Sequence, residues 1–355
     1  MKILMVGVDK STKGGMWSVV ENYLDNQDFL EGNELKYIPT SISGNFIKRI
    51  IFSIYSIIKA FIYTIFNNYD ILHVHVSEKG SVFRKNIIMN ISKIRNAKII
   101  IHMHGAEFEK WYKSLNTKRQ TKVKKILNKG DIILILGKYW ENFVGSLLEN
   151  KSKLKVLYNA INIPNINCYD NNTNNILFLG AVGKRKGIYD LLEAMKKIKN
   201  EKLCKCNLII YGPDTTNQIE QIIKDYEVDD IVKYKGWLNN EEKKKVFRDV
   251  AINILPSYNE GLPMTILETM SYGIPNISTN VAAIPEIIDD SCGILVDPGD
   301  VNRIVQAITM LISDPNLRIE MSNNSYNKVK QYCSIEKHKN DIFEIYKNVL
   351  NEDKK

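Results

Sequence analysis

Short apolar runs alternate with longer stretches of helical spacing through both halves of the 355-residue chain. In the first half the runs are Lys2 to Val8, Ile71 to Val76, Lys98 to His104 and Asp131 to Leu136. In the second they are Ile176 to Leu179, Cys206 to Tyr211, Val232 to Gly236, Val250 to Leu255 and Asn276 to Thr279. Such runs read as buried strands, and the spacing between them predicts helices from about Met16, over Ile188–Lys199, from near Met264, and over Glu336–Leu350. Strands alternating with helices predict an α/β protein of two doubly wound parallel sheets, each with its ligand crevice at the carboxyl ends of the strands. Asn162 to Asn175 is Asn-rich, holds Pro164 and carries little apolar content, the composition of an exposed linker. The predicted domains are therefore 1–165 and 166–335, with a terminal helix over 336–355.

One segment breaks the alternation. Phe46 to Phe66 is the most apolar stretch, yet only 17 residues separate Arg49 from Asn67 and Lys59 sits among them. A central Lys costs about 2.5–3.5 kcal/mol in a membrane span, which argues against spanning. The segment predicts a helix packed on a sheet or, with Lys48, Arg49 and Lys59, an amphipathic helix on an anionic membrane surface.

The most informative stretch is Asn253 to Pro275, NILPSYNEGLPMTILETMSYGIP. It reads as a strand, a tight loop and a helix. The amides of Gly261, Leu262 and Met264 would point above the strand, where helix dipole and unpaired N–H groups favour an anion. Glu260 lies in the loop and Glu268 about one turn into the helix, so the two carboxylates take different tasks: Glu260 senses positive charge or accepts from sugar hydroxyls, and Glu268 accepts from a ribose.

Other candidates sit at strand ends. Gly14 and Gly15 close the loop after the first strand. Residues two apart on a strand share a face, so His73 with His75, and His102 with His104, form same-side pairs; four histidines there could hold zinc. The loop Gly180 to Gly187, GAVGKRKG, sets Lys184, Arg185 and Lys186 beside glycines as a diphosphate clamp.

Composition narrows the field. Charged residues make up 25% and hydrophobic ones 44%, the balance of an ordinary globular protein. The net charge of +9 fits phosphorylated substrates or an anionic membrane better than nucleic acid, since no nucleic-acid module appears. Five cysteines without a C-x-x-C pair argue for a reducing cytosol, and the start MKILMVGVD enters a strand directly, without a signal-peptide core.

The segment E-G-L-P-M-T-I-L-E-T-M-S-Y-G-I-P, with Glu260 and Glu268 at its ends of the E-x7-E spacing, resembles the signature of the family 4 retaining glycosyltransferases of the GT-B fold. HGAEFEKWY, from His104, resembles that family's His-Gly loop. The resemblance implies two Rossmann-like domains facing across a cleft, and transfer of a sugar from a nucleotide diphosphate sugar, UDP foremost, with retention. The acceptor would be a saccharide or a lipid-linked one, in surface polysaccharide or glycolipid synthesis by a cytoplasmic enzyme, which the 46–66 segment would let touch the inner face of an anionic membrane. It assigns catalysis to Glu260, His104 and Lys186. Donor contacts would come from Gly14, Gly15, Lys184, Arg185, Lys186, Gly212, Trp237, Leu238, Gly261, Leu262, Met264 and Glu268. No metal or other cofactor is implied. The family's Arg after the first glycine of the basic loop is Ala181 here, which removes one phosphate contact of about 1.5–3 kcal/mol. Two rivals stand beside this reading: a non-catalytic sugar-binding or scaffold subunit, suggested by Ala181, and a metal-dependent hydrolase built on the histidine pairs.

Overall fold

The computed structural model describes residues 1–12, 14–25 and 32–351. It forms two compact units, one of Met1–Ala160 with Ile335–Lys355 and the other of Ile161–Ser334. The division thus falls between Ala160 and Ile161 rather than after residue 165.

The first unit is built on β1 (Lys2–Gly7), β2 (Glu34–Pro39), β3 (Ile71–Val76), β4 (Lys98–Met103), β5 (Ile132–Ile135) and β6 (Leu154–Val156). They lie in the order β2-β1-β3-β4-β5-β6, every pair parallel. Helices α1 (Gly15–Asp25), α2 (Phe46–Phe66) and α3 (Gly80–Ser92) follow the first three strands. Every residue of β3 is buried, as expected of a strand covered on both faces. The C-terminal helix Ile335–Asn351 belongs to this unit, and its Tyr346 hydroxyl lies 2.6 Å from His73 Nδ1.

The second unit holds β7 (Asn175–Leu179), β8 (Asn207–Tyr211), β9 (Val232–Tyr234), β10 (Ile252–Leu255), β11 (Asn276–Thr279) and β12 (Gly293–Val296). Their order, β12-β11-β10-β7-β8-β9, is again all parallel. Counted from β7 this is the doubly wound order 3-2-1-4-5-6, and the order reverses between β7 and β10. A ligand crevice in such a sheet opens at the carboxyl ends of the two strands flanking that reversal.

The Asn-rich segment is not a loose tether. Asn167 Nδ2 donates to Ser322 Oγ at 2.9 Å, the Tyr169 hydroxyl donates to Ala251 O at 2.8 Å, and buried Arg318 donates to Asn171 Oδ1 at 2.9 Å. Its amide side chains, which suggested a solvated linker, supply the hydrogen bonds that pin it to the second unit.

Candidate active site

The loops after β7 and β10 meet at the reversal point of the second sheet. Gly187, at φ +73°, passes so close to the β10 loop that a Cβ there would lie 2.0 Å from Pro256 O. Tyr258 N donates to Arg185 O at 2.9 Å, and the Arg185 guanidinium donates to Asn259 O at 2.8 Å. The backbones are thereby stitched together, and the side chains converge. Lys186 Nζ donates to Glu260 Oε1, Ser257 Oγ donates to the same oxygen at 2.7 Å, and an Arg185 nitrogen lies 3.8 Å from Glu260 Oε2. Glu260 is 5% exposed and Lys186 9%. A carboxylate and an ammonium so withdrawn from water stand only because they are paired and hydrogen-bonded. Lys184 and Arg185 are exposed at the rim.

Two residues separated by 74 positions, both expected to be catalytic, are thus direct partners. Ser257 is a site residue that sequence reasoning passed over; its position three before Glu260, in the same loop, was the available signal.

Glu268 stands apart from this cluster. It lies on the helix Met264–Ser271, and both its oxygens accept from Lys243 Nζ, at 2.8 and 2.9 Å. Lys243 comes from the helix Asn240–Val246, whose start is held by a capping box between Asn239 and Glu242. In the run E-E-K-K-K nothing distinguishes Lys243 from its neighbours.

The remaining expected donor contacts are distributed around the same strand ends. Gly261, Leu262 and Met264 are buried in the β10 loop and the first helical turn, with Pro263 preceding the helix as its N-cap. Gly212, at φ +135°, ends β8; a Cβ there would lie 1.9 Å from Gly180 O, so close packing of the β7 and β8 ends requires the glycine. Leu238 is buried in an apolar cluster with Leu177, Leu179 and Phe247, while Trp237 beside it is half exposed. Ala181 leaves no cation at its position.

In the first unit the order reverses at β1 and β3. Gly14, at φ +147°, and Gly15, the first residue of α1, lie in the loop after β1. Beside it, all five histidines of the chain form one aromatic array. The rings of His73 and His75 stack at 4.6 Å, those of His102 and His104 approach to 4.2 Å, and Tyr23 meets His73, His75 and His338 edge-on. His75 Nδ1 lies 2.8 Å from His104 Nε2, His73 Nε2 lies 3.2 Å from His102 Nδ1, and His338 Nε2 lies 2.6 Å from the Tyr23 hydroxyl.

Burial above all pushes His73 and His104 down to about 3, holds His75 and His102 well below the ordinary histidine value, and takes His338 down to about 4; the neighbouring imidazoles, with Lys85 for His75 and His104, add to it, while the hydrogen bond to Tyr158 O opposes it at His338. The array is neutral near pH 7, and its tautomers follow. His75 Nε2 and His102 Nε2 have no partner among the described residues. A buried N–H without an acceptor is the costlier vacancy, so both rings carry the proton on Nδ1. His75 then donates to His104 Nε2, leaving His104 with a proton on Nδ1 as a neutral donor.

Nitrogens of His73, His75 and His102 lie within 4.8 Å of one another, a spacing a metal could use. The His73 and His75 planes are only 12° apart, however, so their in-plane lone pairs run parallel instead of converging. Buried Lys85 stands beside them, its Nζ donating to His75 O and to Ser81 Oγ, with burial bringing it down to about 7. The arrangement suits a hydrogen-bonded array better than a ligand set.

Two units, each a doubly wound parallel sheet, make the architecture of the GT-B fold. Residues 161–328 match the family model of the glycosyl transferases group 1. The match takes in most of the second unit, a little under half of the chain. It is 27% identical over 363 residues to an uncharacterized 41.2 kDa protein in the cps region of Klebsiella pneumoniae, covering 96% of this chain and 98% of that one. It is also 27% identical over 158 residues to the O-antigen chain mannosyltransferase B of Escherichia coli, spanning 44% of this chain and 41% of the relative. Among solved structures, sucrose-phosphate synthase from Thermosynechococcus elongatus superposes with a TM-score of 0.79 at 17% identity over 99% of each chain. HepE of Anabaena in complex with UDP superposes with a TM-score of 0.74 at 14% identity, over 98% of this chain and all of that one.

Proposed function

We propose that the protein is a retaining glycosyltransferase that moves a sugar from a nucleotide diphosphate sugar, UDP-sugars first, to a saccharide or lipid-linked acceptor. Its place is the synthesis of a surface polysaccharide or glycolipid, at the cytoplasmic face of the membrane. The observation that carries this reading is the buried Lys186–Glu260 pair, with Ser257 and Arg185, at the sheet reversal of the second unit. Relatives encoded in a cps region and acting on O-antigen support the biosynthetic role. HepE, solved with UDP and with UDP-glucose, supports the donor class.

The chemistry follows from charge. As the bond between the anomeric carbon and the diphosphate breaks, negative charge gathers on the leaving oxygens and positive charge on the sugar. Lys186, with Arg185 and Lys184 at the rim, supplies fixed cations for the first; fixed groups of this kind act without reorganising as the charge develops. Glu260 supplies the opposite charge for the sugar, and Ser257 and Lys186 hold it in one orientation. His104, neutral and bearing its proton on Nδ1, offers the first unit a donor for a hydroxyl of a bound saccharide. Glu268, oriented by Lys243, accepts from the ribose. Stabilisation comes from side chains in this scheme, without a metal ion.

The test is a donor panel. Purified protein is incubated with UDP-, GDP- and ADP-sugars, nucleotide diphosphate release is followed with and without EDTA, and Glu260→Ala and Lys186→Ala are run beside the wild type. Release from one donor class, insensitive to EDTA and lost in both variants, is expected. Donor binding without release, even when acceptors are supplied, would favour the scaffold reading that Ala181 suggests. A melting temperature unmoved by every nucleotide sugar would overturn the proposal.

A further inference from the structure

Helix α2 is amphipathic the wrong way round for a soluble protein. The residues it buries are small: Ser56, Ala60 and Thr64. Eleven of its large apolar side chains are exposed, among them Ile47, Ile51, Ile54, Ile58 and Ile62, with Ile51 62% accessible. At about 100° per residue those isoleucines fall in one arc, roughly opposite the small residues. Lys48 and Lys59 project about 80–100° from that arc's centre, along one edge of it. The helix carries no acidic residue at all.

A core helix would show the reverse; α2 does pack on β2 and α3, as a helix laid on a sheet would, but only through its small face. The length, about 32 Å, would also serve a membrane span. Yet the small face is fastened to the body, most firmly at its C-terminal end. The Thr64 hydroxyl lies 2.9 Å from the Tyr69 hydroxyl, Arg95 Nε donates to Thr64 O at 2.6 Å, and the Arg95 guanidinium also donates to Ile65 O, while nearer the start Ser53 Oγ lies 3.4 Å from Thr40 O. Spanning would strip those bonds, whereas lying flat keeps them.

We propose that α2 docks the protein on an anionic bilayer, lying in the plane of the interface with its isoleucine stripe among the acyl chains and Lys48 and Lys59 at the level of the phosphates. Charge selects this occupant. A second copy covering the stripe would bring two sets of Lys48 and Lys59 to its edge with no acid on either helix to offset them. Anionic headgroups beside acyl chains satisfy both the stripe and the cations. The inference does not depend on the transferase reading, because lipid binding is measured without donor or acceptor.

The experiment is co-sedimentation of the full chain with phosphatidylcholine vesicles, and with vesicles containing phosphatidylglycerol, at low and high salt. Alongside it, the lipid-free protein is examined by sedimentation velocity. The wild type is expected to bind the anionic vesicles on the order of tenfold or more tightly than neutral ones. The exposed double variant Ile54→Ser with Ile58→Ser is expected to lose on the order of tenfold per residue, with an unchanged melting temperature. Lys48→Gln with Lys59→Gln should abolish the preference for anionic lipid while leaving the weaker neutral binding. Absence of wild-type binding to either vesicle overturns the proposal, as does equal binding by the serine variant. A lipid-free dimer that the serine variant dissociates, without vesicle binding, would assign the face to a second copy instead.

Discussion

Lys243 Nζ sits 2.8 and 2.9 Å from the two carboxylate oxygens of Glu268, a bridge between the helices Asn240–Val246 and Met264–Ser271. Both side chains are largely withdrawn from water, at 19% and 12% exposure. The ammonium therefore orients the carboxylate that the proposed mechanism gives to the ribose. Lys243→Met is expected to weaken UDP binding about tenfold, near the 1.4 kcal/mol of one charge-assisted hydrogen bond, with little loss of melting temperature. Calorimetric titration with UDP checks this, and a lower melting temperature at unchanged affinity would make the bridge purely structural.

The Lys186–Glu260 pair makes a different prediction. Removing one partner strands the other charge in a buried site, which costs about 3 kcal/mol or more. Glu260→Gln and Lys186→Met should each destabilise the protein by about that amount. The double variant should recover most of the stability while remaining inactive. A double-mutant cycle in urea, read beside the turnover assay, separates the two effects; additive losses of stability would mean that the pair is not coupled.

Two glycines mark where backbones touch. Gly187→Ala places a Cβ 2.0 Å from Pro256 O at φ +73°, and Gly212→Ala places one 1.9 Å from Gly180 O at φ +135°. Left-handed backbone alone costs about 1–2 kcal/mol for an L-residue, and here the neighbouring atoms are backbone that cannot swing aside. Each variant should lose about 3 kcal/mol or more, lowering the melting temperature by about 6–12 °C for a unit of this size. Calorimetry of the two variants measures it.

Acid should unfold the first unit early. Its five histidines titrate in the folded state below the ordinary value of 6.5, His73 and His104 near 3 and His338 near 4, so the unfolded chain takes up protons first. Stability is then complete above about pH 6.5 and falls as the pH drops from there toward 3, by up to about 1.4 kcal/mol per pH unit for each histidine. Unfolding free energies from urea titrations above pH 6.5 and near pH 5 should differ by several kcal/mol, and His338→Gln should reduce the slope. A flat profile would mean that the array is hydrated and not buried.

Much of this was legible in one dimension because it depends on local chemistry. The apolar runs of β3 and β10 declare strands buried on both faces, and Asn253 to Pro275 declares a strand, an anion-favouring loop and a helix. Their alternation is enough to imply doubly wound sheets, and the segment from Glu260 to Pro275 is enough to carry a resemblance to a family whose model matches 161–328. What local chemistry cannot state is which distant side chains meet. That Lys186 pairs with Glu260 depends on β7 and β10 becoming neighbours at the sheet reversal. Lys243 reaches Glu268 only because two helices pack. His338 joins His73, His75, His102 and His104 only because the C-terminal helix lies in the first unit. The clearest divergence is α2. Its sequence is apolar on nearly every side, so composition could not say which side is covered. Packing decided that, setting Ser56, Ala60 and Thr64 inward because only small side chains allow close approach to the body, and leaving the isoleucines facing out.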